Sequence, residues 1–79
     1  MFKNRIDKLH REIEILWNAI ERAGGKVVDV SNELDTATLY VSGLDESVLE
    51  DLVHRTSAVA DYYVGYDPEY GMVEIAIFV

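Results

Sequence analysis

No cysteine occurs anywhere in the 79 residues, which removes disulfides, thiolate metal sites and thiol nucleophiles together. Proline occurs once, at Pro68, and tryptophan once, at Trp17. No apolar run reaches the roughly 18 residues that a membrane helix needs, and no signal-peptide pattern opens the chain, so a cytoplasmic protein without a membrane span is expected. The motifs of common chemistry are missing as well. There is no G-x-S-x-G, no G-x-x-x-x-G-K and no G-x-G-x-x-G, hence no support for a nucleophile elbow or a phosphate loop. His10 and His54 are the only histidines. They fall on different predicted helices, lack H-E-x-x-H spacing and are expected to face solvent. Carboxylates come in clusters (Glu33 with Asp35, Asp45 with Glu46, Glu50 with Asp51, Asp67 with Glu69), each at a turn or on a solvated helix face. Capping and solubility account for them, and no EF-hand spacing points to calcium. The expectation is a non-enzymatic protein with no cofactor and no metal.

Basic residues are scarce and unevenly placed. Lysine and arginine total 7 against 15 acids, a net charge of −8. Residues 1–26 hold six of the bases against four acids, net +2, while residues 27–79 hold Arg55 alone against eleven acids, net −10. An acidic body repels phosphate backbones, so nucleic-acid binding by that part is not expected. The same excess of acid suits a host with high internal salt, although ordinary acidic proteins share it.

Apolar residues are abundant, at 49% of the chain, and their order lays out one small α+β domain over residues 1–79. From Phe2 to Ala23 they fall at Phe2, Ile6, Leu9, Ile13, Leu16, Ile20 and Ala23. This 4-3 spacing marks a long amphipathic helix carrying its polar residues away from the seam. Gly24-Gly25 ends it. Residues 26–31 read as a strand with Val28 and Val30 on one side and Val27, Asp29 and Ser31 on the other. Residues 36–42 read as a second, half-buried strand in which Ala37, Leu39 and Val41 alternate with Thr36, Thr38 and Tyr40. Asp45 is the N-cap of a second helix over about residues 46–56, with Leu44 and Leu49 as its hydrophobic staple and Val48, Leu49, Leu52 and Val53 as its buried stripe. Residues 58–66 and 72–79 form two more strands around a turn containing Pro68 and Gly71. The last is apolar on both faces, interrupted only by Glu74, and so belongs inside the sheet.

The order α-β-β-α-β-β is a circular permutation of the ferredoxin-like β-α-β-β-α-β arrangement. It predicts a two-layer sandwich: a four-stranded, mostly antiparallel sheet in the order 3-4-2-1, with both helices on one face. Strand 4 is expected to run antiparallel to strand 3 and parallel to strand 2. A plain meander is disfavoured because it places strand 4 at an edge. The uncovered face is expected to show Tyr40, Tyr62, Val64 and Phe78 or their neighbours.

A chain this short buries only about 60% of its unfolded surface, and without cross-links association is the natural supplement. Helix 1 carries Ile15 and Trp17 off its heptad seam, and four of the five tyrosines crowd between positions 62 and 70. The expected function is therefore a protein–protein association module, a homodimer built through helix 1, the open sheet face or both. Ile15, Trp17, Tyr40, Tyr62, Tyr66 and Phe78 are its candidate interface residues. The expected partner is a second copy of the chain, with another protein as the alternative. Two alternatives are a ligand-sensing regulatory domain and a nucleic-acid-associated protein using the basic tip of helix 1 (Lys3, Arg5, Lys8, Arg11). No motif is specific enough to assign a family.

Overall fold

The structure is a computed structural model and describes residues 2–33, 35–56 and 61–78, the side chains from Asp7 onward. Its elements are α1 (Phe2–Arg22), β1 (Lys26–Asn32), β2 (Thr36–Ser42), α2 (Glu46–Thr56), β3 (Asp61–Asp67) and β4 (Met72–Phe78). The expected positions of residues 58–60 and 79 in strands 3 and 4 lie outside the described residues.

The end of α1 is built by the two glycines. Gly24 takes φ +94°. The Gly25 amide then donates to the Ile20 carbonyl at 2.9 Å and the Gly24 amide to that of Glu21 at 3.1 Å, a Schellman cap that satisfies the last helical carbonyls. Gly25 is needed for a second reason. A Cβ there would stand 2.7 Å from Leu44 Cγ and 3.0 Å from Ile20 Cγ2, so its missing side chain lets the β2–α2 connection close onto the helix end. α2 begins as expected: Asp45 Oδ1 accepts from the Val48 amide and the Ser47 hydroxyl, both at 2.9 Å.

The sheet order is β1-β2-β4-β3, the expected 3-4-2-1 counted from the other edge. β4 is central, as its two apolar faces require. One expected pairing is corrected: β4 runs antiparallel to β2, not parallel, and the sheet is antiparallel throughout. The α2 crossover returns the chain parallel to β2 two places away. The β3–β4 turn then reverses it, so the strand filling the gap opposes both neighbours.

Ala37, Leu39 and Val41 of β2 and Val73, Ile75 and Ile77 of β4 are buried on one face and form a single core with Leu9, Leu16, Ala19 and Ile20 of α1 and Leu49, Leu52 and Val53 of α2. Both helices therefore cover the same face, α1 over β1 and β2 and α2 beside β3. Facing departs from expectation in β1, α2 and α1. In β1 the register shifts between Val27 and Asp29. That bulge turns Val28 outward and brings Val27 and Val30 inward together, where simple alternation pairs Val28 with Val30. In α2, Val48 lies on the exposed flank, and the stripe is Leu49, Leu52 and Val53. In α1 the polar Glu12 is buried within the seam, at 4% exposure.

Candidate functional site

Two surfaces stand apart from the core. The first is a cleft of about 340 Å³ between α1 and the edge strand β1. Ile13, Trp17 and Val30 line it, and His10, Glu14, Asn18 and Asn32 surround them. Trp17 and Ile15 are each 37% exposed. Ile13 and Val30 are half-buried and continuous with the core, so the cleft floor is an outward extension of the same apolar layer. Apolar residues beside polar ones, with an exposed tryptophan among them, resemble the make-up of an association surface.

The second surface is the face of the sheet that no helix covers. Strand register sets its rows. Asp29, Tyr40 and Glu74 lie side by side across β1, β2 and β4, and Gly65 of β3 completes the row. Beside it run Ser31, Thr38, Ala76 and Tyr63, and beyond those Thr36, Phe78 and Asp61. Gly65 is buried because the Tyr63 ring lies over it, the phenol occupying the place a Cβ would take. Tyr70 packs on Tyr40, ring centroids 4.4 Å apart and planes tilted by 32°. Tyr70 is held there by the β3–β4 turn. Asp67 Oδ1 accepts from the Glu69 amide at 2.9 Å and the Tyr70 amide at 3.3 Å, and Gly71 adopts φ +68°. The Tyr40 phenol is raised above the usual tyrosine value, first by loss of water around it and then by the charges of Glu74, Tyr70, Asp67 and Asp29.

The six residues singled out from sequence divide among different surfaces. Ile15 and Trp17 lie on α1. Tyr40 and Phe78 lie on the open face, Phe78 at 41% exposure. Tyr62 and Tyr66 do not join them. They pair with Ile77 and Val73 and share the helix-covered side, as does Val64, which pairs with Ile75. Tyr62 packs against the core, its hydroxyl 3.5 Å from His54 Nδ1. Tyr66 borders a depression between the β2–α2 connection and the β3–β4 turn. The residues missed on the open face are Tyr63 and Tyr70. Both are tyrosines in the stretch already marked by its aromatic density; only register separates Tyr63 from Tyr62.

The remaining features offer little chemistry. Both histidines are exposed. Among the described residues no group of three or more His, Asp or Glu side chains is placed to hold a metal ion. Asp45 accepts the Val48 amide at the start of α2, with Glu46 beside it, so an anion meets two carboxylates there rather than favourable charge. Lys8 and Arg11 of the basic helix are exposed; the side chains of Lys3 and Arg5 lie outside the described residues. No helix among the described residues is long and apolar enough to cross a membrane.

These surfaces belong to a small α+β domain, two helices layered on an antiparallel four-stranded sheet. Comparisons with protein-family models, with curated proteins and with solved structures find no match to this chain.

Proposed function

We propose that this chain is a non-enzymatic association module that pairs with a second copy of itself through α1, and that its fold is a permuted ferredoxin-like sandwich. The strand order supports the second statement: moving β4 to the front of the chain turns α-β-β-α-β-β into β-α-β-β-α-β without altering the sheet.

The observation that carries the first is the cleft at α1, where Trp17 stands half out of the protein beside Ile13 and Val30. Charge selects the occupant. Two copies at net −8 repel each other, and only residues 1–26, net +2, oppose approach weakly. A contact of α1 against α1 joins the least acidic parts of two acidic molecules and buries the exposed Trp17. It also adds apolar burial to a domain too small to have much of its own. The β1 edge is not the seam, because its bulge and Asp29 blunt it for strand pairing.

Sedimentation equilibrium tests the reading. The full chain is expected to be dimeric at about 50 μM, where mass action favours even a weak pair, and Trp17→Ala is expected to shift it to monomer while leaving its circular dichroism unchanged. A monomeric parent chain at that concentration refutes the proposal.

A further inference from the structure

The open sheet face lies on the opposite side of the sheet from α1, and the composition of its central row is unusual. A carboxylate, Glu74, sits in the middle of β4 with a tyrosine on either side. Tyr40 pairs with it directly across β2. On β3 its partner is Gly65, and the ring laid over Gly65 is that of Tyr63. Adjacent strands are about 4.8 Å apart, so β2 and β3, which carry the two tyrosines, stand roughly 10 Å apart with Glu74 between them. That is enough for a flat cation to lie against aromatic faces while a carboxylate meets its edge. Asp29 stands at the end of the same row, and Tyr70 packs against the Tyr40 ring.

We propose that this face binds an arginine-bearing segment of another protein, with a guanidinium seated on Glu74 between Tyr40 and Tyr63. Charge complementarity chooses this occupant. By register the open face carries Asp29, Asp61, Asp67 and Glu74 among its described residues, with Lys26 as its counter-charge at the end of β1. A second copy would bring the same carboxylates against each other, and a phosphate backbone would meet them too. Arginine rather than lysine fits because its planar fork pairs with a carboxylate and stacks on rings at once. The glycine at position 65 has its function here: any side chain would lift Tyr63 off the sheet and away from Glu74.

The test uses the full chain with hexa-arginine and hexa-citrulline peptides, the second a neutral copy of the first, followed by backbone amide NMR. Hexa-arginine is expected to move the resonances of Tyr40, Tyr63, Gly65 and Glu74 and to release at high salt, while hexa-citrulline moves none. Glu74→Gln is expected to weaken binding about fivefold, the upper range for an exposed charge pair, and Tyr63→Ala about threefold through loss of one ring. Asp51→Asn on α2 removes the same charge elsewhere and should change nothing. Shifts centred on the helices, equal binding of hexa-citrulline, an unaltered affinity in Glu74→Gln, or open-face shifts that follow protein concentration rather than peptide would each overturn the proposal. If Glu74→Gln does not give a folded spectrum, Asp29→Asn must weaken binding instead, and an unchanged affinity there counts equally against it. Trp17 takes no part in this face, so loss of self-association leaves the result intact and the two proposals fail separately.

Discussion

Single residues set the local geometry of this domain, and two of them make sharp tests. Gly25 has no room for a methyl group, since Leu44 and Ile20 already fill that space. Gly25→Ala is expected to cost about 1–3 kcal/mol, the range for overpacking a tight site, read as a lower midpoint in urea with an unchanged slope. Asp45 supplies a pH dependence. Its carboxylate is held below the usual aspartate value, first by the Val48 amide and then by the Ser47 hydroxyl. A carboxyl whose folded pKa lies below its unfolded one contributes stability that is full above the unfolded value and disappears as pH falls through the folded value. Thermal melts of the parent chain below pH 3.8 should therefore fall more steeply than those of Asp45→Asn, which keeps an N-cap acceptor without the charge. Parallel pH profiles would show that the cap carries no charge term.

Elements differ in how plainly the sequence marks them. α1 and α2 are legible because capping and 3.6-residue spacing act within one element. Asp45 and the Gly24-Gly25 pair bond to their own helices and need nothing distant. Strands are legible as strands but not in phase. The bulge at Val28 is one extra residue, and it reverses every later side chain of β1. No local pattern announces it, because Lys26–Asn32 alternates acceptably either way. Tyr62 and Tyr63 pose the same problem in β3. Two identical neighbours must face opposite sides, and the pairing of Tyr62 with Ile77 decides which goes under α2. β4 is the element on which most depends, with Ile75 and Ile77 fully buried at the centre of the sheet. Ile75→Ala is expected to cost about 2–5 kcal/mol, checked by equilibrium unfolding. A loss below the cost of trimming a single methylene would mean that β4 is not central.

At the scale of the whole molecule, the division of surfaces follows from layering. Two helices on one face leave the other face bare, and a sheet only four strands wide cannot hide it. α1 is a 21-residue helix, long enough to cover β1 and β2 and still show a flank. Trp17 is on that flank, while Tyr40, Tyr63 and Phe78 are on the bare face. The molecule thus presents two unlike surfaces back to back: one apolar and beside its basic segment, one aromatic and acidic. The proposed self-association through the first would leave the second free, so addition of hexa-arginine is expected to leave the sedimentation behaviour of the chain unaltered.

By itself the sequence determined the element order, the helix ends, the central place of β4 and the lopsided charge, because each follows from interactions between near neighbours or from composition. The tertiary structure alone decided the antiparallel pairing of β2 with β4, the outward turn of Val28, the burial of Glu12 and the choice of Tyr63 over Tyr62 for the open face. These depend on which residues meet across strands and layers, and a period of two along one strand carries no information about its register against the next.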